Sequence, residues 1–582
     1  MDQQYPIFTV ETECQDCYKC LRHCPVKAIR VENGHAMIVR EMCVACGTCV
    51  EACPVHAKRI RDDMGRARNL LNSGRPVYVS LAPSWVSEFP GISEAQIIAA
   101  LRRLGFHAVS ETALGAQEIS AAIAAQLSAG QKGLFISSAC PAAVEYIYKY
   151  LPLQAQAVTQ MHSPLLAHCR LLRKAFGDAI AIVFFGPCIA KKNESDRHAK
   201  LLDLALTFQD LQSWFQQKGI DPAALSPAEE DAFVPEHSQE GAVYPVEGGM
   251  TETIKAHGAF PGTRFVTLAG LRNIRKGLEG LRPEAIEYPL FVECLACEGG
   301  CIAGPCIDES EPALMRRMHI EQYTQWPELP VARTPKVPVQ EAYVFGKLKI
   351  DAPSETAILD ALKQVGKFTA GDELNCGGCG YNTCRAFAAG LISGRAEPTM
   401  CVSYMRKLAQ NKANALLRCM PSGVVIAGKD MRIIECNELF GHMFGDDVAH
   451  VYDVSPGLKR CMLAKVVPFP EMFELALQTG REIHYDHHRC DNRLFNITIF
   501  SLEPHQVVGG VILDVTRQEI RRDQIAQRAN EVIKRNLSTV QEIACRLGEH
   551  MAETEILLRS IAEGFACEDG NGLVSENRTG ND

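Results

Sequence analysis

The sequence predicts a multidomain protein of mixed α/β and α+β class. Three features of the chain point to it. Its 582 residues exceed what one core organises and suggest about three to five domains. Its 25 cysteines fall mostly in groups at two- and three-residue spacings, the spacing of metal ligands. Short apolar runs alternate with helical patterns between residues 76 and 332, and a strand-rich pattern begins after residue 412. Hydrophobic content of 47% and charged content of 22% are those of an ordinary globular chain. The net charge of −9 argues against bulk nucleic-acid binding. No apolar run reaches the roughly 18 residues of a membrane span. The longest candidate, Ala179 to Ala190, is broken by Gly186, Pro187 and Cys188. Met1-Asp2-Gln3-Gln4 has no signal-peptide pattern, so the expected location is cytoplasmic. In a reducing cytosol these cysteines serve metals rather than disulfides.

Residues 1–62 carry a duplicated run. Cys14-x2-Cys17-x2-Cys20-x3-Cys24-Pro25 is repeated as Cys43-x2-Cys46-x2-Cys49-x3-Cys53-Pro54. In the two-cluster bacterial ferredoxin pattern the fourth cysteine of each run ligates the other cluster. Cys14, Cys17, Cys20 and Cys53 are therefore assigned to one 4Fe–4S cluster, and Cys43, Cys46, Cys49 and Cys24 to a second. Two clusters in a small ferredoxin-like domain make an electron relay. Arg61 to Asn72 is charged and reads as a helical linker.

Residues 76–332 read as an α/β domain with parallel strands. Val77 to Ala82, Gly133 to Ile136 and Ala181 to Phe185 are buried-strand runs. Ser93 to Leu104 is a helix with Ile97, Ile98, Leu101 and Leu104 on its apolar side. Sites in such folds form beyond the carboxyl ends of strands. Ser137-Ser138-Ala139-Cys140-Pro141 and Gly186 to Lys191 lie immediately after two of these strands. A third cysteine segment, Glu293-Cys294-Leu295-Ala296-Cys297-Glu298-Gly299-Gly300-Cys301, completes a set that converges on one cluster. Taken alone, Cys294, Cys297, Cys301 and Cys306 also make a four-thiol set, but that set leaves Cys140 and Cys188 unexplained. Cys294, Cys306, Cys169 and His168 then read as packing residues.

These three segments resemble the signature motifs of the iron-iron (FeFe) hydrogenases. The resemblance covers residues 76 to about 320. It implies an H-cluster, a 4Fe–4S cubane joined through a thiolate to a diiron unit with CO, cyanide and a bridging dithiolate. By motif position its ligands are Cys140, Cys188, Cys297 and Cys301, with Cys301 bridging. Lys191 matches the lysine that hydrogen-bonds a cyanide, and a compact ammonium suits that anion in a dry pocket. Glu194 matches the acid beside that lysine, and Gly248 and Gly249, in Val246-Glu247-Gly248-Gly249-Met250, match a glycine pair lining the site. The departures are as informative. Ala139 stands where catalytic members place a proton-passing cysteine, and a thiol can exchange a proton whereas a methyl cannot. Gly186 and Leu295 stand where they place methionines, and Ser120-Ala121-Ala122-Ile123 lacks their proton-path glutamates. Loss of general acid–base help of this kind is worth about 10²–10⁴-fold in rate. The combination resembles the sensory subgroup of the family, so slow interconversion of H2 and protons is expected.

Thr334-Pro335-Lys336-Val337-Pro338 reads as a linker into residues 345–404. There Cys376-Gly377-Gly378-Cys379 is followed by Cys384 and Cys401 in a glycine-rich setting that lets the backbone wrap a cluster. The segment resembles a small 4Fe–4S domain, with Cys376, Cys379, Cys384 and Cys401 as ligands. Four thiolates also suit zinc, and that alternative stays open. Such a cluster lies in sequence between the hydrogenase-like core and the C-terminal third of the chain, where it can carry a redox state outward.

Residues 412–517 read as strand, turn, strand, then a helix with Phe440 and Phe444, with further strands at Leu494 to Phe500 and Val507 to Val515. This resembles a PAS domain, and Asp514-Val515-Thr516 resembles the exit that couples a PAS sheet to a signalling helix. His484, His487 and His488 flank an apparent turn and read as solvated. In 518–565, Ile533, Leu537, Val540, Ala544, Leu547, Met551, Thr554, Leu558 and Ile561 form a heptad seam, which argues for a parallel coiled coil and a homodimer, or else one helix packed on the PAS domain. Residues 566–582 are polar and read as a disordered tail.

The expected function is a sensory hydrogenase acting on H2 and protons, with a redox partner such as ferredoxin and a separate signalling protein, a kinase or phosphatase, downstream. No nucleic acid or membrane partner is expected. The alternatives are a working ferredoxin-linked hydrogenase and an iron–sulfur electron carrier without a diiron site.

Overall fold

The structure is a computed structural model that describes residues 5–308, 310–331, 333–346, 348, 353–490, 493–516 and 532–534. It divides into two compact units, Met1–Arg406 and a second beginning at Lys407. The heptad seam and the polar tail, apart from 532–534, lie outside the described residues.

The first unit opens with the cysteine-rich module. Two small antiparallel pairs frame it, Ile7–Thr9 with Lys58–Ile60 and Ile29–Glu32 with His35–Ile38. Single helical turns, Lys19–His23 and Thr48–Glu51, carry Cys20 and Cys49. The chain turns left-handed at Asp16, Tyr18 and Ala45 to bring successive thiols to one side.

Behind this module lie two parallel sheets. One has the order Ala108–Glu111, Val77–Leu81, Ala181–Gly186, Leu204–Thr207. The other has the order Arg264–Ala269, Pro289–Leu295, Gly133–Ile136. Parallel strands covered on both faces must be apolar throughout, and Val77–Leu81 and Ala181–Gly186 are buried at every residue. Helix Glu94–Arg103 starts at a capping box of Ser93 and Gln96, which satisfies two otherwise orphaned backbone N–H groups. Its Ile97, Ile98 and Leu101 face the sheet core.

Two segments expected as linkers are packed instead. Arg61 to Asn72 does form a helix, Met64–Leu71, but Met64 and Ala67 are core residues beside Val77 and Leu204. Buried Arg61 pairs with Asp63 at 3.0 Å and Asp196 at 2.7 Å, and Lys192 joins Asp63 at 3.2 Å and Asp210 at 3.1 Å. Residues 333–343 form a strap along the α/β core. Arg333 pairs with Glu240, the Val337 N–H donates to Glu118, the His162 N–H donates to the Val339 carbonyl, and the Tyr343 hydroxyl donates to the Met161 carbonyl. Val337 and Val339 are buried among Ala116, Ile119 and Tyr244, which is why two prolines did not free the chain here.

The third cysteine module belongs to the first unit. Helix Cys384–Ile392 is capped by Thr383, and the Asn375 side chain accepts from the Cys384 N–H at 2.7 Å. Tyr381, Phe387, Met400 and Cys401 share one apolar core with Leu21, Val26 and Val44 of the N-terminal module.

The second unit holds a five-stranded antiparallel sheet of order Ile433–Cys436, Gly423–Gly428, Val507–Asp514, Arg493–Glu503, Ile483–Cys490. Phe440, Phe469, Phe473, Phe495, Ile497 and Ile499 fill its core. Two local expectations change. The first helix is only Glu438–Gly441, so Phe444 lies beyond it. His484, His487 and His488 sit on a strand, Ile483–Cys490, whose register breaks between Tyr485 and His488. The polar outer face of an edge strand mimics a turn in sequence.

Candidate metal centre

The four cysteines from three distant segments come together. Cys140, Cys188, Cys297 and Cys301 line one apolar cavity of about 400 Å³ with Ala142, Pro187, Ile189 and Leu295. Each arrives on the end of an ordered element. Cys140 caps helix Pro141–Tyr150 after the strand Gly133–Ile136, and Cys188 follows the strand Ala181–Gly186. Cys297 follows the strand Pro289–Leu295, and Cys301 opens a short 3₁₀ turn. Gly299 and Gly300 turn left-handed to make that bend, and a side chain at Gly300 would strike the Pro245 carbonyl at 2.4 Å.

These thiols fit an iron–sulfur cluster better than they fit a packed core. Burial, together with repulsion from Cys140, pushes the Cys188 thiol up to about 12, and burial likewise pushes Cys297 and Cys301 upward. Four thiols held in one apolar cavity become thiolates only when a bound metal supplies the opposing charge. The N-terminal module shows the same chemistry. Cys24, Cys43, Cys46 and Cys49 line a second cavity of about 310 Å³, while Cys20 lies in the field of Cys14, Cys17 and Cys53. The thiols are thus grouped in the two sets that the crossed pairing would use. The two cavities adjoin, because Cys46 lines both. A side chain at Gly47 would meet Pro305 at 2.4 Å, so the contact is close.

Lys191 lies in helix Ala190–Arg197, in the field of Cys188 and Cys301. Its ammonium donates to Glu194 at 2.7 Å and to the Ser163 hydroxyl at 3.0 Å. Ala139 is half-buried and packs against the core cluster that contains Ile119, Tyr244 and Met250. Gly186 backs onto Phe184, where an added Cβ would lie 2.3 Å from the ring. Leu295 lines the cavity. Gly248 and Gly249 stand one step behind it. The Cys301 N–H donates to the Pro245 carbonyl at 2.7 Å, and a side chain at Gly249 would strike the Val243 carbonyl. In the third module Cys379 lies in the field of Cys401 and Cys376, and Cys384 stands at the start of its helix.

Two groups near the centre escaped the sequence reading. Glu293 is buried on the strand that leads to Cys297, accepting from Thr251 Oγ1 at 2.9 Å and from the Thr251 and Met250 N–H groups at 3.1 and 3.3 Å. Burial pushes its carboxyl up to about 7 against those hydrogen bonds. The signal was an acid inside an otherwise apolar strand. Tyr343 of the strap reaches Ser138, next to Ala139, and lies in the field of Glu194.

Comparison with known proteins agrees with this architecture. Residues 75–305 match the family described as iron only hydrogenase large subunit, C-terminal domain. Residues 6–54 match the 4Fe-4S dicluster domain and residues 372–403 an Fe-S cluster family. The chain is 24% identical over 329 residues to iron hydrogenase 1 of Clostridium pasteurianum, covering 45% of this chain and 55% of that one. It is 25% identical over 355 residues to the periplasmic Fe hydrogenase large subunit of Nitratidesulfovibrio vulgaris, covering 50% and 84%. The chain thus spans about half the length of the first of these relatives. A solved FeFe-hydrogenase HydA1 structure from Chlamydomonas reinhardtii aligns at 19% identity and TM-score 0.39, covering 50% of this chain and all of that one. Fold and thiol sites together define an iron–sulfur protein. Its central domain, residues 75–305, is similar more narrowly to the large subunits of the iron-only hydrogenases.

Proposed function

We propose that this chain is a sensory FeFe hydrogenase that binds H2 at an H-cluster, interconverts it slowly with protons, and relays the redox state to a PAS-type unit. Cys140, Cys188, Cys297 and Cys301 would hold the cluster, with Cys301 as the bridging thiolate. When bound, that group supplies the metal site at which H2 is split and electrons are taken up. The protein's part is to exclude water, aim one cation and withhold one acid. Lys191, held by Glu194 and Ser163, would offer its ammonium to an anionic ligand of that group. Ala139 withholds the proton carrier, and this residue is the observation that carries the reading. The apolar cluster against which Ala139 packs supports this reading, since a methyl there carries no exchangeable proton.

The sheet order of the second unit supports the PAS assignment, as does the Asp514–Thr516 exit, where the Thr516 N–H donates to Asp514 at 2.9 Å. On this reading a redox partner such as ferredoxin exchanges electrons with the N-terminal module. A homodimer formed through the PAS unit and residues 518–565 signals to a separate kinase or phosphatase in the cytoplasm. Among the described residues no helix is long and apolar enough to cross a membrane.

Glu293 favours a second reading. It lies in the field of Cys301 and holds its proton to about pH 7, so it is placed to exchange protons in a working hydrogenase. Anaerobic maturation followed by infrared spectroscopy and H2 turnover separates the readings. We expect CO and cyanide bands, low turnover in the parent, and a rise of roughly 10²-fold or more in Ala139→Cys. High parental turnover unchanged by Ala139→Cys selects the working hydrogenase. Absence of both band sets leaves an electron carrier.

A further inference from the structure

We propose that the third cysteine module is a second electron port docked on the ferredoxin module, and that Lys27 is the cation that couples their clusters. The Cys24–Cys43–Cys46–Cys49 cluster is then a junction, not one link in a single line. The proposal rests on the reading of both modules as 4Fe–4S carriers.

The docking is intimate. Gly380 has a left-handed φ of +84°, and a Cβ added there would lie 2.6 Å from Arg22 Cα. No side chain fits without separating the modules. The Val31 N–H donates to the Gly394 carbonyl at 3.1 Å, and Tyr381, Phe387 and Met400 share a core with Leu21 and Val26. The third module is therefore fixed against the ferredoxin module.

Lys27 occupies the seam. Its ammonium donates to the Leu21 and Arg22 carbonyls at 3.2 and 3.0 Å and sits 5.0 Å from the centre of the Tyr381 ring. It lies in the field of Cys24 and Cys379, with the cation Arg272 also near. Among the described residues it has no carboxylate partner. Lys27 is half-buried, and an ammonium partly withdrawn from water is favoured by nearby negative charge. The anions that can supply it are the two thiolate-bound clusters. Adding an electron to either makes that cluster more negative, so a shared cation favours reduction of both and weakens their mutual repulsion.

The junction has its other contact at Cys46, which lines the main cavity with Cys140, Cys188, Cys297 and Cys301. Electrons leaving that cavity meet a fork. One arm passes to the cluster of exposed Cys17, the other to the module of exposed Cys376. Cys401 of the second arm is followed directly by helix Val402–Cys419, which leads in sequence to the first strand of the second unit. The first arm suits exchange with a soluble redox partner, and the second suits the output.

The test is potentiometric electron paramagnetic resonance on the full-length, anaerobically reconstituted protein, with metal analysis, on the parent, Lys27→Gln and Lys27→Arg. In the parent, the third-module signal should broaden when the junction cluster is also reduced. This needs no variant and so survives any folding defect. In Lys27→Gln the reduction equilibria of these two clusters should fall about tenfold, a shift of ~59 mV for one electron. The Cys14–Cys17–Cys20–Cys53 cluster and the infrared bands of the main site should stay unchanged, and Lys27→Arg should restore the parental potentials. A third cluster without magnetic coupling, or potentials unmoved in Lys27→Gln, overturns the junction. Zinc in the third module overturns the reading beneath it, and metal analysis tells that failure apart.

Discussion

Glu293 is a carboxyl kept protonated near neutrality by its surroundings. Its ordinary value is near 4.5 and burial raises it to about 7, so the folded protein binds a proton that the unfolded chain releases. The stabilisation from that proton is therefore fully present below about pH 4.5 and is lost as pH rises through about 7. We expect a protonated-carboxyl infrared band that titrates with a midpoint near 7 and disappears in Glu293→Gln. A carboxyl already ionised at its ordinary value would sink the assignment. If Glu293 also exchanges protons with the site, Glu293→Gln lowers turnover and flattens its pH profile in that range. If Ala139 alone sets the rate, only the infrared band changes. Gly186 shows the same tie between a small residue and its neighbours. The Phe184 ring fills the space a side chain at Gly186 would need, so that wall is closed rather than open.

At the level of elements, the strap 333–343 joins the α/β core to the third module and borders the centre. Glu118 accepts the backbone N–H groups of Lys336 and Val337, and His162 pairs with Glu341 at 2.5 Å. Glu118→Ala leaves two partly or fully buried donors without an acceptor, at a cost of about 1–3 kcal/mol. Hydrogen exchange should report faster exchange at residues 336–341, with a lower Tm for the first unit. Unchanged exchange would show that the strap is held by Val337 and Val339 alone. The strap also marks where the sequence stopped being legible. Strand ends, cysteine spacing and the Ser93 cap are local patterns, and they were readable because each depends on a few neighbouring residues. Pro335 and Pro338 are equally local signals, yet Val337 and Val339 find partners more than 200 residues earlier, in helix Ala113–Ser128. The seat of the third module on the ferredoxin module was hidden for the same reason. Gly380 reads as a turn glycine until Arg22 is seen against it.

At the scale of the molecule, the two units have separate cores. Phe440, Phe469, Phe473 and Phe495 pack with one another in the second, while the cores of the first unit are built around the cysteine modules and the two parallel sheets. The link between them is the helix Val402–Cys419, which has no fully buried residue. Eighteen residues at 1.5 Å each make it ~27 Å long. Units with independent cores unfold independently. Calorimetry should therefore show two transitions. Removing iron should lower the first unit's transition by a large margin, since its buried thiols lose the charge that opposes them, and should leave the second unit's transition in place. A single cooperative transition that shifts as a whole would mean that the units stabilise each other. In that case a redox change in the first unit would also alter the stability of the second. With two independent transitions, the change has to travel along the connecting helix. H2 should then alter hydrogen exchange first within residues 402–419, and only afterwards in the five-stranded sheet of the second unit.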